Sequence, residues 1–267
     1  MSESLQKCSS NMNDFRIEML CSILSNCKAM HKEKPKNPPN MLKSTTVKTY
    51  GIPSTIPGVV VLQSSSFHQG DQKVFKHRLA GAQCTSISAV ACCILSRKIE
   101  PVMREDLEKI LIQGDQYYLQ CKKIAIEADY LNVEDLLESF IVDDNLVILT
   151  YEDITYGRFC DSDLRSKLCE CINVCCQRSK LSVSSGFLFT GQQKTVSFVV
   201  RPDNTFWLFN SHCVDVNNRF PIQEPSEGTA RLFKCANPEA LASLLVADMR
   251  SSSDYWSICQ LKFSIQS

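Results

Sequence analysis

The chain has 267 residues, 44% of them apolar, which is enough for one sizeable core plus an extension. Basic and acidic side chains number 29 each, so the net charge is zero and composition offers little to hold nucleic acid or an anionic membrane surface. No apolar run reaches the ~20 residues that span a bilayer, and MSESLQKCSSNMNDFRIEML lacks the basic start and apolar stretch of a secretory leader.

Residues 1–60 read as an N-terminal extension, partly disordered. Phe15, Met19, Ile23 and Leu24 suit one face of a short helix, and the basic, proline-containing MHKEKPKNPPNMLKSTT that follows has the composition of a solvated linker or a nuclear-localisation tract. A folded domain is expected over 61–267, opening with a strand in STIPGVVVLQSS. After the small-residue turn LAGAQ and Cys84, the positions Ile87, Val90, Ala91, Ile94 and Leu95 follow helical spacing. A second helix is expected from Pro101, with Leu107, Ile110 and Leu111 inside and Gly114 at its end. Asn132 can cap a third, with Leu136, Leu137 and Phe140 on its apolar side. Asp143 and Asp144 read as a turn. Asp161 or Ser162 can cap a fourth helix, carrying Leu164, Leu168, Cys171 and Cys175.

Strands dominate the C-terminal half: LVILTY, GFLFT, TVSFVV, TFWLFN and TARLFKC are short, apolar and rich in β-branched or aromatic residues. RPDN joins two of them as a hairpin turn. Pro238 to Leu245 is a short helix, and the alternation of Cys259, Leu261, Phe263 and Ile265 fits a half-buried edge strand. Helices early and mainly antiparallel strands late make an α+β fold.

Fifteen cysteines in a long chain of ordinary apolar content, several at core-like positions such as Cys92, Cys171 and Cys259, point to a reducing compartment, cytosol or nucleus. The LCECINVCC cluster has helical rather than metal-ligand spacing, so no metal or cofactor is expected there. The chemically suggestive residues lie elsewhere. In TFWLFNSHC, Asn210 and His212 share one face at the end of a strand apolar on both sides. An amide oxygen that accepts one imidazole N–H leaves the other ring nitrogen as a base; taken alone, the pair reads first as a plain polar strand end where both side chains meet water. Cys84, where a tight turn enters a helix, sits where backbone N–H groups favour a thiolate. A cysteine at a helix start with a distant histidine and an amide or carboxylate orienter is the papain-like arrangement.

DQKVFKHRLAGAQCTSISAV and the strand ending Phe209-Asn210-Ser211-His212 resemble two motifs of the deubiquitinase domain of herpesvirus large tegument proteins, a "DQ … AG-x-QC" nucleophile region and an "F-D-S-H" strand. Gly114, Asp115 and Tyr118 match a stretch between them, and the likeness runs from about Ser64 to the C-terminus. The resemblance implies a papain-like cysteine peptidase fold and hydrolysis after the C-terminal glycine of ubiquitin or a ubiquitin-like modifier. In it Cys84 is the nucleophile, His212 the general base, Asn210 the orienter and Gln72 the oxyanion donor, with Gln69 the other glutamine near enough to serve. It implies a monomer whose partner is the modifier rather than nucleic acid or membrane, acting in the cytoplasm, the nucleus or, in a virus, the tegument and host cell. His68 and His77, near the nucleophile in sequence, read as surface or loop residues. The family has aspartate where this chain has Asn210, so a catalytically weakened, ubiquitin-binding homologue is the alternative, and a peptide-processing protease with the same triad a third reading. On the sequence alone, Asn210→Asp is expected to leave activity equal or greater.

Overall fold

The computed structural model describes residues 52–266 except 54, 76–81, 100, 127–129, 181–184, 192–193, 215–227 and 249–254. The proposed N-terminal helix and basic linker, together with His77, lie outside the described residues. The compact unit that contains the sheet spans Thr49–Ser267.

Nine strands form one sheet in the order β1-β2-β8-β7-β6-β5-β9-β4-β3. They are β1 (Ile52–Pro53), β2 (Val59–Ser64), β3 (Ser139–Val142), β4 (Asn145–Arg158), β5 (Ser185–Gly191), β6 (Lys194–Val200), β7 (Phe206–Val214), β8 (Thr229–Cys235) and β9 (Tyr255–Gln266). Every ladder is antiparallel. Helices α1 (Cys84–Leu95) and α2 (Arg104–Lys122) pack on one face, α3 (Leu164–Ser179) and α4 (Pro238–Asp248) on the other. The fold is the α+β arrangement expected, N-terminal helices on a mainly antiparallel sheet. No described helix is long and apolar enough to cross a membrane.

Strand alternation sorts the core. Phe206 and Leu208 of β7 join Phe187, Phe198 and Phe233 under α3 and α4. Trp207 and Phe209, one step out of phase, join Ile87, Leu107 and Leu111 under α1 and α2. Apolar side chains on both faces make β7 an internal strand, between β6 and β8, as its sequence predicts. The RPDN turn closes β6 onto β7 with Arg201 N–H donating to the Thr205 carbonyl (2.8 Å) and Asn204 in the left-handed region at φ 59°.

Three expectations change. The second helix does not end at Gly114 but runs on to Lys122. Gly114 is there for close approach: a Cβ on it would lie 2.5 Å from the Ile87 Cα of α1. The third helix is only a 3₁₀ turn, Val133–Asp135, and the apolar residues after it pair as β3. Asp143 and Asp144, both left-handed (φ 54° and 64°), make the turn that folds β3 onto β4, and this hairpin overrides helical spacing while Phe140 stacks on Tyr117. Finally, β9 is no edge. It lies between β5 and β4, with Trp256 to Leu261 nearly all buried, and its alternating C-terminal half is merely its more exposed end.

Candidate active site

The nucleophile candidate opens α1, a helix buried along almost its whole length. Its first turn is polar yet enclosed, so its hydroxyls must find partners inside the protein. Thr85 Oγ1 donates to the Leu131 carbonyl (2.6 Å) and meets Thr195 Oγ1 at 3.2 Å. Ser86 Oγ donates to the Gln83 carbonyl (2.9 Å) and Ser88 Oγ to the Thr195 carbonyl (3.2 Å). These bonds pin the helix N-terminus onto β6 at Thr195, and the Cys84 thiol itself hydrogen-bonds with Thr195 and Thr85. Cys84 is only 2% exposed. Burial raises its thiol above the ordinary cysteine range, opposed in part by those hydrogen bonds.

The base candidate lies at the end of β7. His212 Nδ1 and Asn210 Oδ1 are 2.9 Å apart, and the His212 backbone N–H donates to the same oxygen at 2.9 Å. Asn210 Nδ2 donates to Asp248 Oδ2 at 2.7 Å. These partners fix both orientations. A backbone N–H can only donate and a carboxylate accepts, so the amide oxygen faces His212. The imidazole must then carry its proton on Nδ1, which leaves Nε2 as the basic nitrogen. Burial, with Lys194 and His68 close by, pushes His212 down to about 3, so the ring is neutral at physiological pH. Lys194 precedes Thr195, so β6 links the two halves of the site: its Thr195 holds the thiol and its Lys194 charge acts on the imidazole.

A third segment, between β2 and α1, is laced to the same strand end. Gln69 N–H donates to the Ser211 carbonyl (2.9 Å), and Ser211 Oγ donates to Gln69 Oε1 (2.6 Å). Gln69 is 1% exposed, and His68 is buried beside it. His68 is therefore not the surface residue its sequence context suggests. Gln72, by contrast, is exposed on the turn held by the Asp71 carboxylate and carbonyl, which accept the Lys73 and Val74 N–H groups. Of the residues chosen from sequence, Asn210 and His212 are in direct contact, Cys84 is held on Thr195 of β6, and Gln72 is on the outside of its turn. Sequence reasoning missed Asp248 altogether. It lies 38 residues from Asn210, in a last helical turn beyond the expected end at Leu245.

Burial holds the Cys84 thiol and the His212 imidazole in their neutral forms, which is the state of a general-base pair before proton transfer rather than of a preformed thiolate–imidazolium pair. Because burial raises the Cys84 thiol, the thiolate fraction climbs tenfold per pH unit until well past the ordinary cysteine range. Alkylation of Cys84 by iodoacetamide, followed by peptide mass spectrometry, is expected to rise steadily from pH 6 to pH 9. A rate already level near pH 6 means a preformed ion pair and contradicts this assignment.

A model of the herpesvirus tegument protein N-terminal conserved region matches residues 64–266. Among solved structures the fold is similar to that of the ubiquitin-specific protease encoded by murine cytomegalovirus tegument protein M48, crystallised in complex with a ubiquitin-based suicide substrate. The TM-score is 0.57 at 17% identity, over 77% of this chain and 86% of that one, a likeness of fold. No curated protein matches the chain. Since the family model takes in well over half of the 267 residues, Cys84, Asn210 and His212 among them, the chain belongs to the family of herpesvirus tegument protein N-terminal regions.

Proposed function

We propose that the chain is a thiol-dependent hydrolase that cleaves after the C-terminal glycine of ubiquitin or a ubiquitin-like modifier. The observation that carries this reading is the fixed Nδ1-protonated His212, held by Asn210 at 2.9 Å on a fold shared with a viral ubiquitin-specific protease. His212 Nε2 takes the Cys84 proton, and the thiolate attacks the glycine carbonyl. His212 then protonates the leaving amine, and water, activated by the same nitrogen, releases the thioester. The tetrahedral oxyanion is held by the Cys84 backbone N–H and by Gln69. Gln69 replaces Gln72 in this role because it is buried against Ser211, the neighbour of His212, with its amide oxygen occupied and Nε2 set as the donor end.

The test is incubation with a ubiquitin C-terminal electrophile. A single mass adduct on Cys84 is expected, and none with Cys84→Ala. The second reading, a binding-only homologue, draws on the burial of Cys84 at 2% exposure. Saturable ubiquitin binding by a folded protein that forms no adduct decides for it.

A further inference from the structure

We infer that Asp248 is a positioning residue of this site: its carboxylate, acting through the Asn210 amide, supplies the negative charge that the orienting position itself lacks. The inference rests on the peptidase reading above.

The geometry is a chain of two hydrogen bonds. Asn210 Nδ2 donates to Asp248 Oδ2 at 2.7 Å, and His212 Nδ1 donates to Asn210 Oδ1 at 2.9 Å. An amide that donates to an anion becomes a better acceptor at its oxygen, so the carboxylate polarises the bond that holds the imidazole. When His212 Nε2 takes the Cys84 proton, the imidazolium faces this polarised oxygen with a negative charge directly behind it. No proton crosses the amide; it stays on Nδ1. The orienting aspartate of a conventional triad is thus divided into two residues, an amide in contact and a carboxylate one step back.

The placement of Asp248 is hard to explain by stability. It is the last residue of α4, at the negative end of the helix dipole, where an acid is unfavourable. It also continues the buried face of the helix: Leu241, Leu244 and Leu245 are 0–1% exposed, and Asp248 is the next position on that stripe. Burial raises its carboxyl to about 6, tempered by Lys194, so it is ionised at neutral pH. Among the described residues, the charged or titratable groups around the relay are Lys194 on β6, His68 on the segment after β2 and Arg231, directly across from Asn210 on β8. Such conflicts between local preference and placement gather at functional sites.

The test uses the full chain and a fluorogenic C-terminal ubiquitin amide. Asp248→Asn keeps an acceptor for Asn210 Nδ2, so a purely structural role predicts no change. The relay predicts a fall in kcat of about 10–100-fold with KM unchanged, the effect of one charge acting across two hydrogen bonds at an effective dielectric near 20. The exchanged pair, Asn210→Asp with Asp248→Asn, swaps donor and acceptor while moving the charge next to His212, and is expected to restore kcat to within threefold. An NMR titration supplies a readout independent of turnover. The His212 ring signals should step near pH 6 as Asp248 ionises, far above the histidine's own titration, and the step should vanish in Asp248→Asn. An active wild type whose Asp248→Asn variant turns over within twofold, or whose exchanged pair stays as slow as the single variant, overturns the inference. An inactive wild type that keeps the NMR step overturns the peptidase reading instead and leaves the Asp248–His212 coupling established.

Discussion

Replacing His212 by alanine is expected to lower kcat for ubiquitin C-terminal hydrolysis about 10³-fold, with KM little changed. The size follows from the state of the pair. The Cys84 thiol is raised by burial and His212 is held neutral, so no standing thiolate is available to carry on without the base. On the proposed reading, a ubiquitin substrate would bind over a surface far larger than one imidazole, which is why the loss should fall on kcat. Raising the pH should recover part of it, because hydroxide removes the thiol proton when the imidazole cannot. Steady-state kinetics between pH 7 and pH 9 check both points. A loss under tenfold at pH 7.5 would remove His212 from the base role.

Gly114→Ala is expected to destabilise the fold by about 2 kcal/mol, although glycine to alanine inside a helix ordinarily stabilises by about 1 kcal/mol. The sign reverses because the new Cβ meets backbone. It would lie 2.5 Å from Ile87 Cα and 2.7 Å from Ile87 Cγ1, and no rotamer change relieves a clash with a Cα. Either α2 or α1 must shift, and overpacking of this kind costs roughly 1–3 kcal/mol or more beyond the propensity gain. Since α1 carries Cys84 three residues before Ile87, the shift should also slow acylation. Urea unfolding measures the first effect and the electrophile adduct rate the second. A variant as stable as the wild type would mean that the helices separate at no cost.

The Asp248 relay also changes what Asn210→Asp alone should do. From the sequence, a carboxylate at 210 is expected to help the base. In the structure it would sit 2.7 Å from the Asp248 carboxylate, where two negative charges cannot coexist and the pair takes up a proton. At neutral pH the variant then carries one shared negative charge, the same number as the wild type. The exchanged pair is therefore the cleaner experiment.

Much of this organisation was legible in the residues themselves. Strands with both faces apolar announced an internal β7, the RPDN turn announced its hairpin, and TFWLFNSHC with LAGAQC named the thiol, the imidazole and the amide. These are local properties. A period of two, a turn that needs particular dihedral angles, and an i, i+2 pair on one strand face are set within a few residues of chain. Where local signals competed, pairing won. Helical spacing around Leu136 yielded to a β3–β4 hairpin because Asp143 and Asp144 turn the chain back on itself. The alternation in β9 described its exposed end and said nothing of its place among its neighbours.

By itself, then, the sequence determined the α+β class and the core strands through short-range periodicity, while its resemblance to two tegument-protein motifs singled out the three side chains to suspect. Only the tertiary structure decided which glutamine is bonded to Ser211, why Gly114 sits within a helix, and that a carboxylate lies behind Asn210. Those answers depend on segments far apart in the chain: Gln69 meets Ser211 and Asp248 meets Asn210 only after the sheet has formed and α4 has docked on it. An aspartate on an apolar helix stripe marks a position that needs a partner, and the fold alone says which partner it finds.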